Sequence, residues 1–218
     1  MKKFILVFLF LACFSSFVYS LDSESWLRIG FEYGNYFDSY IINYEKTESY
    51  TGAAGINIGG YRFFNNKNYG LFVHGYFGVP LINSKNNNFK DYDFRFHAGI
   101  VFGMGFKYNF TEKLFLNYGI GISYMMGFYD YYDYLPLYGD VFFETKSFDI
   151  GIAGDVGLKF DFNKNVFIAF GSIFSFDFLR SQYMKASFEK ATAGIVKDFY
   201  MYAFKPYLTI GFNIFQKY

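Results

Sequence analysis

The stretch Tyr92–Lys107, YDFRFHAGIVFGMGFK, alternates over its whole length. Tyr92, Phe94, Phe96, Ala98, Ile100, Phe102, Met104 and Phe106 are apolar, and Asp93, Arg95, His97, Gly99, Gly103, Gly105 and Lys107 stand between them. A period of two is that of a β-strand with one greasy face and one polar or small face. A half-buried strand in a water-soluble sheet holds such a pattern for about 4–8 residues, whereas a strand that crosses a bilayer needs about 9–11. The length of this one selects the membrane.

The same alternation returns elsewhere, giving eight segments: Ser25–Gly34, Thr51–Phe63, Tyr69–Ile82, Tyr92–Lys107, Leu114–Phe128, Lys146–Asp161, Val166–Phe178 and Tyr200–Gln216. Short Asn- and Lys-rich turns at Phe64–Asn68, Tyr108–Lys113 and Phe162–Asn165 alternate with longer connections at Asn35–Tyr50, Asn83–Asp91, Tyr129–Thr145 and Leu179–Phe199. An even strand number with alternating short and long connections is the pattern of a bacterial membrane barrel, its short turns periplasmic and its long loops outside. The fold expected is all-β, an eight-stranded antiparallel up-and-down transmembrane β-barrel. In the last connection Met184, Phe188, Ala191 and Ile195 recur at helical spacing, so Leu179–Phe199 reads as a short amphipathic helix on the outer leaflet. An extra hairpin there, making ten strands, is the alternative.

Composition agrees with a lipid-facing wall. Aromatics make up 27% of the 218 residues and charged residues only 18%, and a barrel places such rings against lipid and in interfacial girdles. At the amino end Lys2 and Lys3 precede an apolar run, Phe4–Leu11, and then small residues. This is the layout of a secretory signal peptide, and the run is too short to span as a helix. Val18-Tyr19-Ser20 fits a cleavage site, dividing the chain into a signal peptide at 1–20 and a barrel at 21–218. Phe10-Leu11-Ala12-Cys13 is a loose lipobox and leaves lipoprotein processing as an alternative. With cleavage after Ser20 the only cysteine departs, so neither a disulfide nor a thiolate site is expected. Loss of Lys2 and Lys3 leaves the basic residues one short of the 19 acidic ones, a balance that does not suggest nucleic acid.

Counting back from Tyr218, Gln216, Ile214, Phe212, Ile210 and Leu208 alternate up to a terminal aromatic. This resembles the carboxyl-terminal signal read by the barrel-assembly machinery, with Gln216 departing from the usual aromatic. In pattern the chain resembles the small outer-membrane barrels: the outer-membrane protein A transmembrane domain, outer-membrane protein X and the opacity-type surface proteins. The resemblance covers nearly all of Leu21–Tyr218 and contains no signature peptide. It implies residence in the outer membrane and partnership with outer-membrane lipid. The assembly machinery and periplasmic chaperones would be partners during biogenesis, and host or envelope proteins partners through the loops. Functions in this group are diverse.

With the apolar parity facing lipid, the lumen receives Arg28, Glu32, Asn57, His74, Asp93, Arg95, His97, Lys107, Asn117, Asp149, Asp155, Lys159, Asp177 and Lys205. Eight strands enclose a space that inward side chains just fill, so these charges are expected to pair across it. Inward glycines, among them Gly105, Gly119, Gly157 and Gly211, leave room for the long stems and for rings. His74 and His97 are the best metal or catalytic candidates. A hairpin folded about Lys85 and Asn86 sets them opposite each other with Asp93 and Arg95 nearby, a donor set able to take zinc or copper. The plainer reading makes both histidines structural, with no metal, cofactor or catalytic residue. Ser123, Ser172 and Ser175 have no local motif joining them to a histidine, so no nucleophile, base and orienting group can be named.

The loops concentrate tyrosine. Tyr131, Tyr132, Tyr134 and Tyr138 form a candidate contact surface, and Tyr36, Tyr40, Tyr44 and Tyr50 populate the first loop. Tyr provides amphipathic contact area at low entropy cost. The expected function is a non-enzymatic envelope barrel that displays surface loops. The alternatives are a conduit for small hydrophobic molecules of the outer-membrane protein W type, which requires an apolar pocket at the outer mouth, and, less favoured, a lipid-modifying enzyme.

Overall fold

The computed structural model describes residues 24–42, 45–64, 67–85, 88–89, 94–135, 139–187, 192–196 and 198–215. The signal-peptide and cleavage readings lie outside these residues, as do Tyr44, Asp93, Tyr138 and the terminal Tyr218. Eight long strands carry the fold: β1 (Ser25–Ile42), β2 (Glu45–Phe63), β3 (Tyr69–Lys85), β5 (Phe94–Asn109), β6 (Leu114–Leu135), β7 (Gly139–Asp161), β8 (Val166–Ala186) and β10 (Tyr200–Phe215). Two short strands, β4 (Asn88–Phe89) and β9 (Thr192–Ile195), pair with β3 and β8. Each long strand pairs antiparallel with its sequence neighbour, and β10 pairs with both β8 and β1. The sheet closes on itself, which removes the exposed edges that an open sheet would have to protect.

The two faces separate as the alternation requires. Phe31, Ile120, Ile122, Phe170, Leu208 and Ile210 stand half or more exposed on the outside, while Trp26, Tyr61, Phe72, His74, Asp155 and Ile173 are buried inside. So large an apolar exterior is untenable in water and natural in lipid. Inward glycines make the narrow interior possible. A Cβ on Gly105 would lie 2.6 Å from the Tyr61 ring and one on Gly119 2.7 Å from that of Phe72.

Three expectations need correcting. The connections read as loops at Asn35–Tyr50 and Tyr129–Thr145 are largely strand, because β1 and β2 run out to Ile42 and Glu45, and β6 and β7 to Leu135 and Gly139. The ladder continues past the lipid, but there the outward face meets water and the apolar alternation fades, while inward residues such as Tyr36 and Val141 stay buried. The described residues of Leu179–Phe199 form no helix, Phe188 and Ala191 lying outside them: β8 continues to Ala186, and β9 folds back with Ile195 opposite Ser181 and Gly194 opposite Gln182. The existing β7 edge, with Glu144 opposite Lys185 and Lys146 opposite Tyr183, offers backbone partners that a marginal helix of this length cannot match.

The third correction concerns the histidines. Gly78 faces His97 and His74 faces Val101, so the two lie on neighbouring strands and the same inward face but four positions apart, about 13 Å at strand rise. Near the tip Lys85 pairs with Asn88 and Ser84 with Phe89. The turn is therefore centred later than Lys85 and Asn86, and a further offset separates this small ladder from the β3–β5 one.

Candidate functional site in the lumen

The lumen is stacked in layers. At the end that carries the short turns, the Lys159 ammonium lies 4.3 Å from the Trp26 ring, 4.5 Å from Phe115 and 4.7 Å from Phe167. The Asp161 carboxylate accepts from it at 2.6 Å. Lys107 pairs with Glu24 and sits 4.7 Å from the Phe63 ring. Two lysines thus enter an aromatic box, their charge met by ring faces on one side and carboxylates on the other. This layer is a floor.

Above it Asp155, fully buried, accepts from Tyr61 Oη at 2.5 Å, Tyr207 Oη at 2.8 Å and Arg28 Nη2 at 2.8 Å. Asn117 donates to Tyr61 Oη at 3.2 Å. Arg28 Nη2 also lies 3.2 Å from His74 Nδ1, and His74 Nε2 lies 2.5 Å from Glu32 Oε2. A guanidinium only donates, so Nδ1 accepts and the His74 proton sits on Nε2, directed at Glu32. Both ring nitrogens of His74 are thereby engaged within the protein.

Next comes a small cavity lined in part by Ser123, Ser175, Asp177 and Lys205, with room for about one water molecule. Ser123 Oγ donates to Asp177 Oδ1. Beyond it Tyr36, Ala53, Tyr76, Met125, Phe199, Met201 and Ala203 make an apolar cluster, with His97 joined to Tyr129 Oη and edge-on to Tyr36 at 4.9 Å. Arg180 caps this compartment. It holds Asp149 through Nε at 2.7 Å and Nη2 at 2.8 Å, reaches Asp38 at 2.8 Å, and lies 4.1 Å from the Phe199 ring.

Most of the lumen set read from parity is placed inside: Arg28, Glu32, Asn57, His74, His97, Lys107, Asn117, Asp149, Asp155, Lys159, Asp177 and Lys205 are all buried. Arg95 keeps the inward parity but is only half-buried, near the rim, donating to the Leu81 carbonyl at 3.4 Å. The structure does not bring the two histidines into one site, and among the described residues no group of three or more His, Cys, Asp or Glu is arranged to hold a metal. Of the candidate contact tyrosines, Tyr131, Tyr132 and Tyr134 lie on the outer part of β6. Tyr132 is exposed, its ring 5.2 Å from that of Phe142. In the first hairpin Tyr36 is buried inside rather than displayed.

Arg180 was hidden from sequence by a β-bulge. Ile150 pairs with Leu179 but Gly151 pairs with Asp177, so Phe178 is the extra residue and the inward parity of β8 switches from odd to even. Asp38, Glu24 and Asp161, which anchor the cap and the floor, lie beyond or at the ends of the alternating segments. Bulges leave no compositional mark here; a charged residue just past a strand's apparent end was the one available signal.

No family model matches the chain, and no curated protein does. Solved structures do. The outer membrane protein OprG from Pseudomonas aeruginosa superposes with a TM-score of 0.61 at 11% identity, covering 89% of this chain and 97% of that one. A major outer membrane protein from Thermus thermophilus gives 0.57 at 9% identity over 88% and 98% of the two chains. The outer membrane protein AlkL, determined in lipid bilayers, gives 0.51 at 13% identity over 91% and 94%. At such identities the likeness is one of fold. Together with the apolar wall and closed ladder, it gives the chain the fold of the small bacterial outer-membrane β-barrels.

Proposed function

We propose that the protein is a non-enzymatic outer-membrane barrel with a closed lumen, which reinforces the envelope and holds rigid hairpins outside it for surface contact. The filled lumen carries this reading: floor, Asp155 layer and Arg180 cap follow one another along the axis, and each joins strands that are not neighbours in the ring. The outer hairpins supply the display. β6 and β7 stay paired from Leu114 and Phe160 to Leu135 and Gly139, a ladder far longer than a bilayer requires. Against an enzyme stands the commitment of the candidate groups, since Ser123 gives its hydrogen bond to Asp177 and His74 is held by Arg28 and Glu32. Refolded protein in a planar bilayer tests the closed lumen. Absence of steady conductance is expected, and a stable open level would overturn it.

One observation favours a second reading, a conduit for small hydrophobic molecules. The interior just below the outer mouth is apolar, and beside it the β3–β5 ladder stops at Gly78 and His97, although β3 continues through Pro80. Pro80 has no N–H to offer a neighbour. Uptake of small apolar compounds by cells with and without the protein separates the readings: faster uptake with it, abolished by Ala203→Trp, supports the conduit.

A further inference from the structure

The three short turns repeat one piece of chemistry. Phe64, Phe110 and Phe162 each open a turn, and their exposures of 37%, 53% and 59% place the rings on the outside. Each ring meets a second aromatic at the strand end: Tyr69 at 6.0 Å, Tyr108 at 5.2 Å and Phe160 at 5.6 Å. Each turn then presents an exposed lysine, Lys67, Lys113 or Lys164, two or three residues further on.

The backbone fixes this arrangement. Phe110 N and Thr111 N both donate to the Leu114 carbonyl, and Thr111 Oγ1 accepts from Leu114 N at 3.0 Å. Phe162 N and Asn163 N donate to the Val166 carbonyl in the same way, and Asn163 Oδ1 accepts from Val166 N at 2.9 Å. The Phe64 turn is closed by Phe64 N to the Tyr69 carbonyl and Lys67 N to that of Phe64. With the apolar outer wall set in lipid, each aromatic pair would lie at the edge of the hydrocarbon and each lysine beyond it, at headgroup depth.

The two ends of the barrel differ in charge. At the outer end Lys46 pairs with Glu48, Lys146 with Glu144, and Arg180 with Asp38 and Asp149. At the short-turn end the described cations Lys67, Lys113, Lys164, Lys107, Lys159 and, on the outward parity of β2, Arg62 outnumber the acids Glu24, Glu112 and Asp161. We infer that the short-turn rim is a binding surface for anionic glycerophospholipid headgroups of the periplasmic leaflet. The aromatic pairs hold its depth and the lysines select lipid charge. The inference needs only the barrel and its orientation, so it stands or falls separately from the display and conduit readings.

Protein refolded into phosphatidylcholine bilayers, probed with spin-labelled phosphatidylglycerol and spin-labelled phosphatidylcholine, tests it. The motionally restricted fraction gives the relative association of the two. A preference of about two- to fivefold for phosphatidylglycerol is expected, because a boundary lipid meets one lysine at a time and a single basic group is worth no more than about fivefold. Combined Lys67→Gln, Lys113→Gln and Lys164→Gln should bring the ratio close to one, whereas Lys46→Gln with Lys146→Gln at the other end should leave it unchanged. Equal association of both lipids with the unaltered protein overturns the inference, as does a preference that survives the triple substitution. Should the triple variant not fold, the unaltered protein in about 0.5 M salt decides, because a charge-selected preference is screened there and one that persists is not charge-selected.

Discussion

Asp155 shows what a single residue does in this interior. It is fully buried and accepts from Arg28, Tyr61 and Tyr207, so the Arg28 charge has its compensation at one carboxylate. Asp155→Ala should destabilise the barrel by about 3–5 kcal/mol, because it leaves a buried guanidinium unpaired. Arg28→Met combined with Asp155→Leu should cost much less, as both charges leave together. Urea unfolding in lipid vesicles measures the difference, and equal losses would show that pairing is not what matters there. The opposite face offers a complementary test. Ile120 is exposed in the middle of the outward row of β6, and Ile120→Arg should cost about 2–4 kcal/mol if that row lies at the bilayer midplane. Tolerance equal to that of an outer-hairpin position would count against the facing. Both residues were readable from sequence by parity alone, since within a regular strand inward and outward are fixed by counting.

Counting fails where the strand is irregular or the solvent changes, and the elements show both cases. The bulge at Phe178 turned Arg180 inward. A second shift, where Gly52 pairs with Ile82 and Ala53 with Pro80, reverses the parity of β3 beyond Leu81. The outer hairpins lost their signal for another reason: outside lipid the exterior residues need not be apolar, as Glu144, Lys146 and Lys185 illustrate. Eight strands and three turns were legible because the bilayer imposes a strict pattern on them, whereas the strand lengths outside it were not. Treatment of intact cells with protease should therefore cut the β6–β7 hairpin near residues 136–138, at its tip, and spare the paired backbone of Tyr129–Leu135 and Gly139–Thr145. Cleavage spread evenly along Tyr129–Thr145 would mean that the ladder does not persist outside the membrane. Arg180→Met should loosen the same region, since Arg180 links β8 to β7 and β1. Faster amide exchange at Asp38 and Asp149, with the Trp26 end unchanged, is the expected sign.

For the molecule as a whole, the layers act as barriers in series. An ion crossing the lumen must pass the aromatic floor, where Trp26 packs 4.8 Å from Phe63 and 5.9 Å from Phe115, and then the Arg28–Asp155 layer. The Arg180 cap follows as a third layer, and in a series the highest remaining barrier sets the current, so opening one layer leaves the others to block. Trp26→Ala by itself should therefore remain non-conducting in a planar bilayer, and Arg28→Ala with Asp155→Ala should do so as well. Combining all three opens the floor and the central layer but leaves the Arg180 cap and the apolar cluster next to it, so a small steady conductance is expected only when Arg180→Ala is added. Heat-modifiability on gels confirms in each case that the barrel has formed, so a silent bilayer cannot be ascribed to unfolded protein. If Trp26→Ala alone conducts, the floor is the only seal and the Asp155 layer is permeable to ions. If the fourfold variant folds and still does not conduct, the neighbouring rings of Tyr61, Phe72 and Tyr207 collapse into the space, and closure belongs to the narrowness of an eight-stranded cylinder rather than to any particular layer.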